Sequence, residues 1–398
     1  MFFDRIEAAP PDPILGLTDA FKKDTNPQKI NLGAGVYQND EGATPVLDCV
    51  KAAERQLLEQ EHSKSYLPIP GLEIYGQHVR DLLFGPDHPL AEDGRCVTCH
   101  CPGGTGALRI GADFIRQQNV AATVWISDPT WANHLQIMAA AGLKVERYPY
   151  YDASRHALNF GRMLETLGRA QPGDIVLLHA CCHNPTGVDL TAEQWEELGH
   201  FLVEHRLMPF MDFAYQGFAA GIDEDAHGVR TIARHCHEML IASSFSKNFS
   251  LYNERVGALT VLAEDYQVAN RLFSQLKITV RSSFSNPPAH GEKIVNTVLS
   301  SPELRRRWEE ELTAMRERIR RMRVLLSEQL RDAGAGDFGF ITEQNGMFSF
   351  SGLNPQQVQT LKSEYGIYIV GSGRICVACI NERNVGRLAE CMARVIRG

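Results

Sequence analysis

The feature that most restricts how this chain can fold is a rhythm between residues 123 and 262. Five short apolar runs, Thr123–Ser127, Asp174–Ala180, Met208–Met211, Met239–Ser243 and Val256–Leu262, alternate with longer stretches of helical spacing such as His134–Ala141 and Ala192–His205. Strands that are apolar throughout must be covered on both faces, which predicts an α/β fold with a largely parallel sheet between helices. Ligands of such sheets gather at the loops leaving the carboxyl ends of the strands. Trp131, Asn184, Asp212, Tyr215 and Lys247 all fall in those loops.

The loop after the fourth run reads SFSKNFSLYNER. Lys247 stands there among small hydroxyls and aromatic rings (Phe245, Ser246, Phe249), an environment in which an amine loses its proton more easily than in water. That suits a lysine that forms a Schiff base. Ser244, Ser246 and Arg255 offer hydroxyl donors and a guanidinium fork for a phosphate. Farther upstream, Pro102–Gly106 is a glycine-rich turn into the helical pattern Ala107–Gln118, so Gly104 and Thr105 suit an anion at a helix start. An amine for an aldehyde beside donors for a phosphate points to pyridoxal phosphate, whose third partner is an acid at the pyridine nitrogen. Asp212, at a strand end with Tyr215 three places on, supplies one.

Each of these residues also has a plainer account. Lys247 fits a solvated loop, DFAYQGF an aromatic core patch, Asn184 the turn that Asn-Pro favours, and Trp131 a core filler. His134 and His179 read as core histidines with satisfied partners, and Arg281 and Arg374 as surface ion pairs or as forks for carboxylates.

The rest of the chain sets bounds. At 398 residues it predicts a large and a smaller domain. A net charge of −8 argues against nucleic acid or an anionic membrane as partner. The first residues carry Asp4 and Glu7 without a long apolar run, so no signal peptide, no membrane span and a cytoplasmic setting are expected. Ten cysteines occur, but Cys99-His100-Cys101, Cys181-Cys182-His183 and Cys236-His237 lack the paired spacing of a zinc site. Reduced, buried thiols and no metal are expected. Residues 1–45 are loop-rich, with DPILGL and NLGAGVY as tight segments able to cover a site. Pro302–Leu330 carries one apolar stripe (Leu304, Trp308, Leu312, Met315, Ile319), so its many charges read as a solvated face. Beyond Gly336, Phe348–Phe350, Ile367–Val370 and Ile375–Ala378 read as strands of an α+β domain.

Taken together, PGGTGALR, SDPTW, CCHNPTG, DFAYQGF, SFSKNFSLYNERVGAL, SNPPAHG and GRICVA resemble the class I aminotransferases of pyridoxal-phosphate fold type I. The likeness is strongest to their bacterial aspartate-specific branch, and aromatic-specific members are near relatives. It spans nearly the whole chain. It implies a large domain, 46–300, with a mainly parallel seven-stranded sheet. It also implies a small α+β domain from 1–45 and 301–398, with helix 302–330 linking the two. It implies that Lys247 holds the cofactor and shuttles the substrate proton, Asp212 pairs with the ring nitrogen, Tyr215 and Asn184 bond the ring oxygen, and Trp131 stacks on the ring. Gly104, Thr105, Ser244, Ser246 and Arg255 would bind phosphate, joined by Tyr66 of a neighbouring subunit. Arg374 would take the α-carboxylate, with Gly35 and Asn184 lining the site, and Arg281 of the other chain the distal carboxylate. A homodimer with shared sites, acting on amino acids and 2-oxo acids, follows from the same resemblance.

Members that favour aromatic substrates tend to carry leucine, tyrosine, isoleucine, leucine, serine and serine along the pocket rim. This chain has Val36, Gln38, Thr44, Ser65, Thr105 and Asn286, of which four match the aspartate enzymes and two match neither group. Transamination from L-aspartate to 2-oxoglutarate is therefore expected, with an aromatic aminotransferase as the alternative.

Overall fold

In the computed structural model, which describes residues 2–8 and 15–398, the alternating runs assemble into a seven-stranded sheet. Asp12, Pro13 and Ile14 of the DPILGL segment lie outside the described residues. In chain order the strands are β1 (Cys96–Pro102), β2 (Thr123–Asp128), β3 (Lys144–Pro149), β4 (Ile175–His179), β5 (Met208–Phe213), β6 (Met239–Ser244) and β7 (Val256–Leu262). Across the sheet they run β1-β7-β6-β5-β4-β2-β3. All neighbours are parallel except at β7, which runs against both β1 and β6. The reversal has a simple cause. Only residues 245–255, with no helix among them, join β6 to β7, and a return to a parallel start needs a longer crossover.

Asp212 lies inside β5 rather than in the loop that follows. Its backbone pairs on both sides, opposite His179 of β4 and Ala242 of β6, and this carries the strand on to Phe213. Helix α1 (Gly103–Gln118) packs Ala107, Leu108, Ile110 and Ile115 against Ile126, Leu177, Phe210 and Leu259 of the sheet. Each large side chain buried in this way contributes about 1.5–3 kcal/mol. Helix α2 (Ala192–Glu204) begins at a capping box in which Thr191 and Gln194 satisfy each other's backbone amides. Helices α3 (Tyr266–Ser283) and α4 (Pro302–Asp332) follow the sheet.

Contacts divide the chain into two units. The larger comprises residues 44–318 with 344–346, and the smaller 1–43, 319–343 and 347–398. The division falls inside α4, so residues 301–318 group with the larger unit and not, as expected from sequence, with the smaller. The charged face expected on α4 is present as the pairs Arg305–Glu309, Arg306–Glu310 and Arg307–Glu303. Arg316, Arg318 and Arg323 depart from it and are buried. Arg316 donates to Gly217 O at 2.9 Å, and Arg323 to Phe348 O at 2.7 Å and Ile341 O at 3.0 Å. Backbone carbonyls thus take the place of water around Arg316 and Arg323. In the smaller unit, Ile30–Asn31 pairs in parallel with Ile367–Tyr368, and Phe348–Phe350 pairs antiparallel with Arg374–Cys376. Among the described residues no helix is long and apolar enough to cross a membrane.

Candidate active site

The node of the site is Asp212, at the carboxyl end of β5. Its Oδ2 lies 2.9 Å from His134 Nε2, and His134 Nδ1 lies 2.8 Å from Thr130 Oγ1. A carboxylate only accepts, so His134 Nε2 donates to it and, in the neutral ring, Nδ1 accepts from the threonine hydroxyl. Burial pushes the Asp212 pKa up, but the hydrogen bond from His134 and the nearby Lys247 ammonium outweigh it, leaving the group below its usual value. Asp212 therefore stays ionised in a dry setting. His179 stands beside His134, ring centroids 5.1 Å apart, and burial drops its pKa to about 3, so this second histidine stays neutral. His134 is the buried, partnered core histidine that the sequence suggests, but the identity of its partner is not legible there. The contact with Asp212 spans 78 positions in the chain, and no local spacing announces it.

Lys247 follows β6 and is half-buried, with its Nζ 4.6 Å from the centre of the Tyr215 ring. Asn184 Nδ2 donates to the Tyr215 hydroxyl at 3.4 Å, so β4, β5 and β6 each send a polar group to one place. The Asn184–Pro185 peptide is cis. Trp131 meets His134 edge-on at 5.3 Å. The lysine loop is supported from behind by α4. Trp308 is fully buried, donates from Nε1 to Asn248 O at 2.7 Å and stacks on Phe249 at 4.5 Å.

An anion cradle adjoins these groups. Ser244 and Ser246 hydroxyls lie 3.2 Å apart, and Arg255 Nη1 donates to Ser246 Oγ at 3.3 Å. The guanidinium of Arg255 lies against Gly103, where φ is +70° and a Cβ would strike it. A Cβ on Gly104 would come within 3.0 Å of Ser244 Cβ. The two glycines thus let serines and arginine close on the first turn of α1, whose cap Pro102 offers no side-chain acceptor to its amides. Free amides, two hydroxyls and a guanidinium make a donor set that fits a phosphate. With a lysine and an ionised carboxylate beside it, the residues present fit pyridoxal phosphate.

Tyr66, Arg281, Gly35 and Arg374 are the other residues that the sequence suggests for the site. Tyr66 is 91% exposed. Arg281, in the last turn of α3, is exposed and hydrogen-bonds Ser285 Oγ. Gly35 and Arg374 belong to the smaller unit. There Arg374 is buried, donates to Gly33 O at 2.7 Å and lies over the Phe348 ring at 4.2 Å. That burial sets aside the surface ion pair as its account. All ten cysteines are free and buried, and burial pushes Cys96 and Cys99 up to about 12 and Cys236 to about 11.

The family model for aminotransferase class I and II matches residues 27–392. An aspartate aminotransferase of Escherichia coli is 51% identical over 395 residues, covering 99% of this chain and 100% of that protein. An aromatic-amino-acid aminotransferase of the same organism is 45% identical over 396 residues, again covering 99% and 100%. The solved structure of an aromatic-amino-acid aminotransferase from Burkholderia pseudomallei, covalently bound to pyridoxal phosphate, superimposes with a TM-score of 0.97 at 51% identity, over all of both chains.

Proposed function

Because the chain belongs to the class I and II aminotransferase family, we propose that it uses pyridoxal 5′-phosphate to move the amino group of L-aspartate to 2-oxoglutarate, yielding oxaloacetate and L-glutamate. The observation that carries this reading is the ionised Asp212 held by His134 in the same cluster as Lys247 and Tyr215. Bound pyridoxal phosphate supplies an electron sink for the carbanion left when the substrate loses its α-proton. Lys247 holds the cofactor through its Nζ, and in turnover the same nitrogen carries the α-proton away and returns it. Asp212 keeps the pyridine nitrogen protonated, which is why its own charge must survive burial. Tyr215 and Asn184 bond the ring oxygen, and Trp131 covers the ring face. Gly104, Thr105, Ser244, Ser246 and Arg255 hold the phosphate, with Tyr66 of a second subunit completing the set.

Arg374 takes the α-carboxylate as a planar fork, with Gly35 lining the site, and Arg281 of the second subunit takes the distal carboxylate. The exposure of Tyr66 and Arg281 fits donation across a homodimer interface, and a cytoplasmic homodimer completes the reading. Closure of the protein over bound substrate would exclude water from the site. Borohydride reduction of the pure enzyme followed by peptide mapping tests the centre of this scheme: the label must sit on Lys247.

One observation favours a second substrate class. The aromatic-amino-acid enzyme from Burkholderia shares as much identity with this chain as the aspartate enzyme of E. coli does. Of Val36, Gln38, Thr44, Ser65, Thr105 and Asn286, the four that match aspartate enzymes lean the other way, and two match neither group. Asn286 donates to Leu67 O at 2.8 Å, which fixes a polar amide on the rim. Comparing kcat/KM for aspartate and phenylalanine decides between the two, and a clear preference for phenylalanine overturns the aspartate assignment.

A further inference from the structure

We propose that Cys376 and Cys379 are a redox-active thiol pair, closed to an intramolecular disulfide by a small peroxide, whose closure loosens the 32–38 segment. Both sulfurs lie in the smaller unit, fully buried and 3.2 Å apart. The spacing comes from the local fold. Cys376 caps a single 3-10 turn, Val377–Cys379, and in such a turn side chains three apart eclipse one another. Three residues at about 2 Å of rise each put the Cα atoms roughly 6 Å apart, inside the range a disulfide spans. Closure then needs the sulfurs to approach by about 1 Å. The C-x-x-C spacing stands in the sequence beside three more conspicuous Cys–His clusters.

The pair also differs chemically from the other thiols. Burial raises Cys376 too, but a hydrogen bond from Cys379 and the charge of Arg374 outweigh it and leave this thiol below the ordinary value, whereas Cys96, Cys99 and Cys236 are all pushed up. The reaction balances with hydrogen peroxide as oxidant. The Cys376 thiolate attacks one peroxide oxygen, the O–O bond breaks, and a sulfenic acid and one water result. The Cys379 sulfur then displaces the hydroxyl, forming the S–S bond and releasing a second water. Two thiols are oxidised by two electrons and one peroxide is reduced to two waters.

What the pair holds gives closure a consequence. The sulfurs of Cys376 and Cys379 lie 3.6 and 3.3 Å from Val36 O, where a thiol donates. The same stretch receives Cys376 N–H at Leu32 O, 2.8 Å, and sends Gln38 N–H to Ala378 O, 3.0 Å. A disulfide has no hydrogen to give, so Val36 O loses the thiol hydrogen the pair can offer it, and the pull on Cys379 draws the turn from Gln38. The effect on substrate rests on the function proposed above, in which Gly35, Val36 and Gln38 border the substrate. Loss of one such bond raises KM for the dicarboxylic amino acid roughly three- to tenfold with kcat little changed.

The test treats the holoenzyme with hydrogen peroxide, alkylates free thiols, and maps the peptides by mass. The expected product is one unalkylated peptide holding Cys376 and Cys379, two hydrogens lighter, with a raised KM that dithiothreitol reverses. Cys379→Ser keeps a hydroxyl donor for Val36, so it should retain the reduced KM and ignore peroxide. Separate alkylation of the two cysteines after oxidation overturns the proposal, as does a linked peptide with unchanged KM or a peroxide effect that persists in Cys379→Ser. A reduced holoenzyme without transaminase activity would instead remove the aminotransferase reading, while the mass of the linked peptide still decides whether the pair closes.

Discussion

At Asp212, burial and charge oppose each other, and one histidine decides the outcome. Removing that histidine is therefore informative. In His134→Phe the desolvation cost stays and the bond is gone, so the Asp212 pKa rises. The wild-type carboxyl, lowered from 3.8, is ionised at and above that pH and contributes stability there, which is lost as pH falls through its folded value. In the variant the folded value rises toward or above the unfolded one, so that contribution shrinks or reverses and stability falls less steeply as pH drops through the carboxylate range. The expected outcome is a kcat reduced roughly ten- to a hundredfold and an acid limb of the kcat/KM profile displaced upward, with the cofactor still bound through its phosphate. An unchanged profile would mean that His134 does not set the charge of Asp212. His179 gives a second pH signature. Its folded pKa of about 3 lies below the ordinary 6.5, so the unfolded chain binds the extra proton between those values. Stability from this residue is complete above pH 6.5 and falls as pH drops toward 3. Denaturant titrations of wild type and His179→Gln across pH 6 to 4 should differ in slope by up to about 1.4 kcal/mol per pH unit, wild type being the steeper.

Among the elements, β7 and α1 approach most closely at Gly257. A Cβ there would lie 2.7 Å from Gly103 O and 2.8 Å from Ser243 O, both backbone atoms that cannot swing aside. Gly257→Ala is expected to cost about 1–3 kcal/mol in denaturant unfolding. By pushing α1 from Arg255 and Ser244 it should also weaken cofactor binding, read as a raised Kd for pyridoxal phosphate. Wild-type affinity in the variant would show that the close approach does not shape the cradle. The same part of the fold marks how far the sequence could be read. The five inner strands stand out because each is apolar on both faces; Lys247 and Asn184 follow strand ends as the sequence suggests, whereas Asp212 lies inside β5. Both edge strands escaped notice. In β3 the charges of Lys144, Glu146 and Arg147 face outward and hide the alternation. In β1 the buried positions include Thr98 and His100, polar residues that bond distant Thr260 and, through Nδ1 of His100, distant Glu292. Partners so far away in sequence leave no local trace, and the same holds for His134 with Asp212 and for the buried arginines of α4. The reversal of β7 was readable from the short 245–255 link, since a link lacking a crossover helix favours an antiparallel neighbour.

For the molecule as a whole, the open matter is whether one chain suffices. Lys247 lies in the cluster at the strand ends, while Tyr66 and Arg281 point to solvent. A chain that keeps two of its proposed ligands on its exterior makes sense if they serve a second copy, and that arrangement predicts a pattern of complementation. Lys247→Ala should be inactive, and Arg281→Ala should be poor with aspartate but much less impaired with phenylalanine, which lacks a distal carboxylate. When the two variants are unfolded together and refolded, mixed dimers hold one site with both defects. Their other site holds Lys247 from one chain and Arg281 from its partner, both intact. Random pairing makes about half of the dimers mixed, each with one of two sites restored, so aspartate activity should recover to about a quarter of wild type. If both residues act within the same chain, mixing restores nothing. Activity no greater than the sum of the separately refolded variants would therefore remove the shared site, and with it the role assigned to Arg281 across the interface.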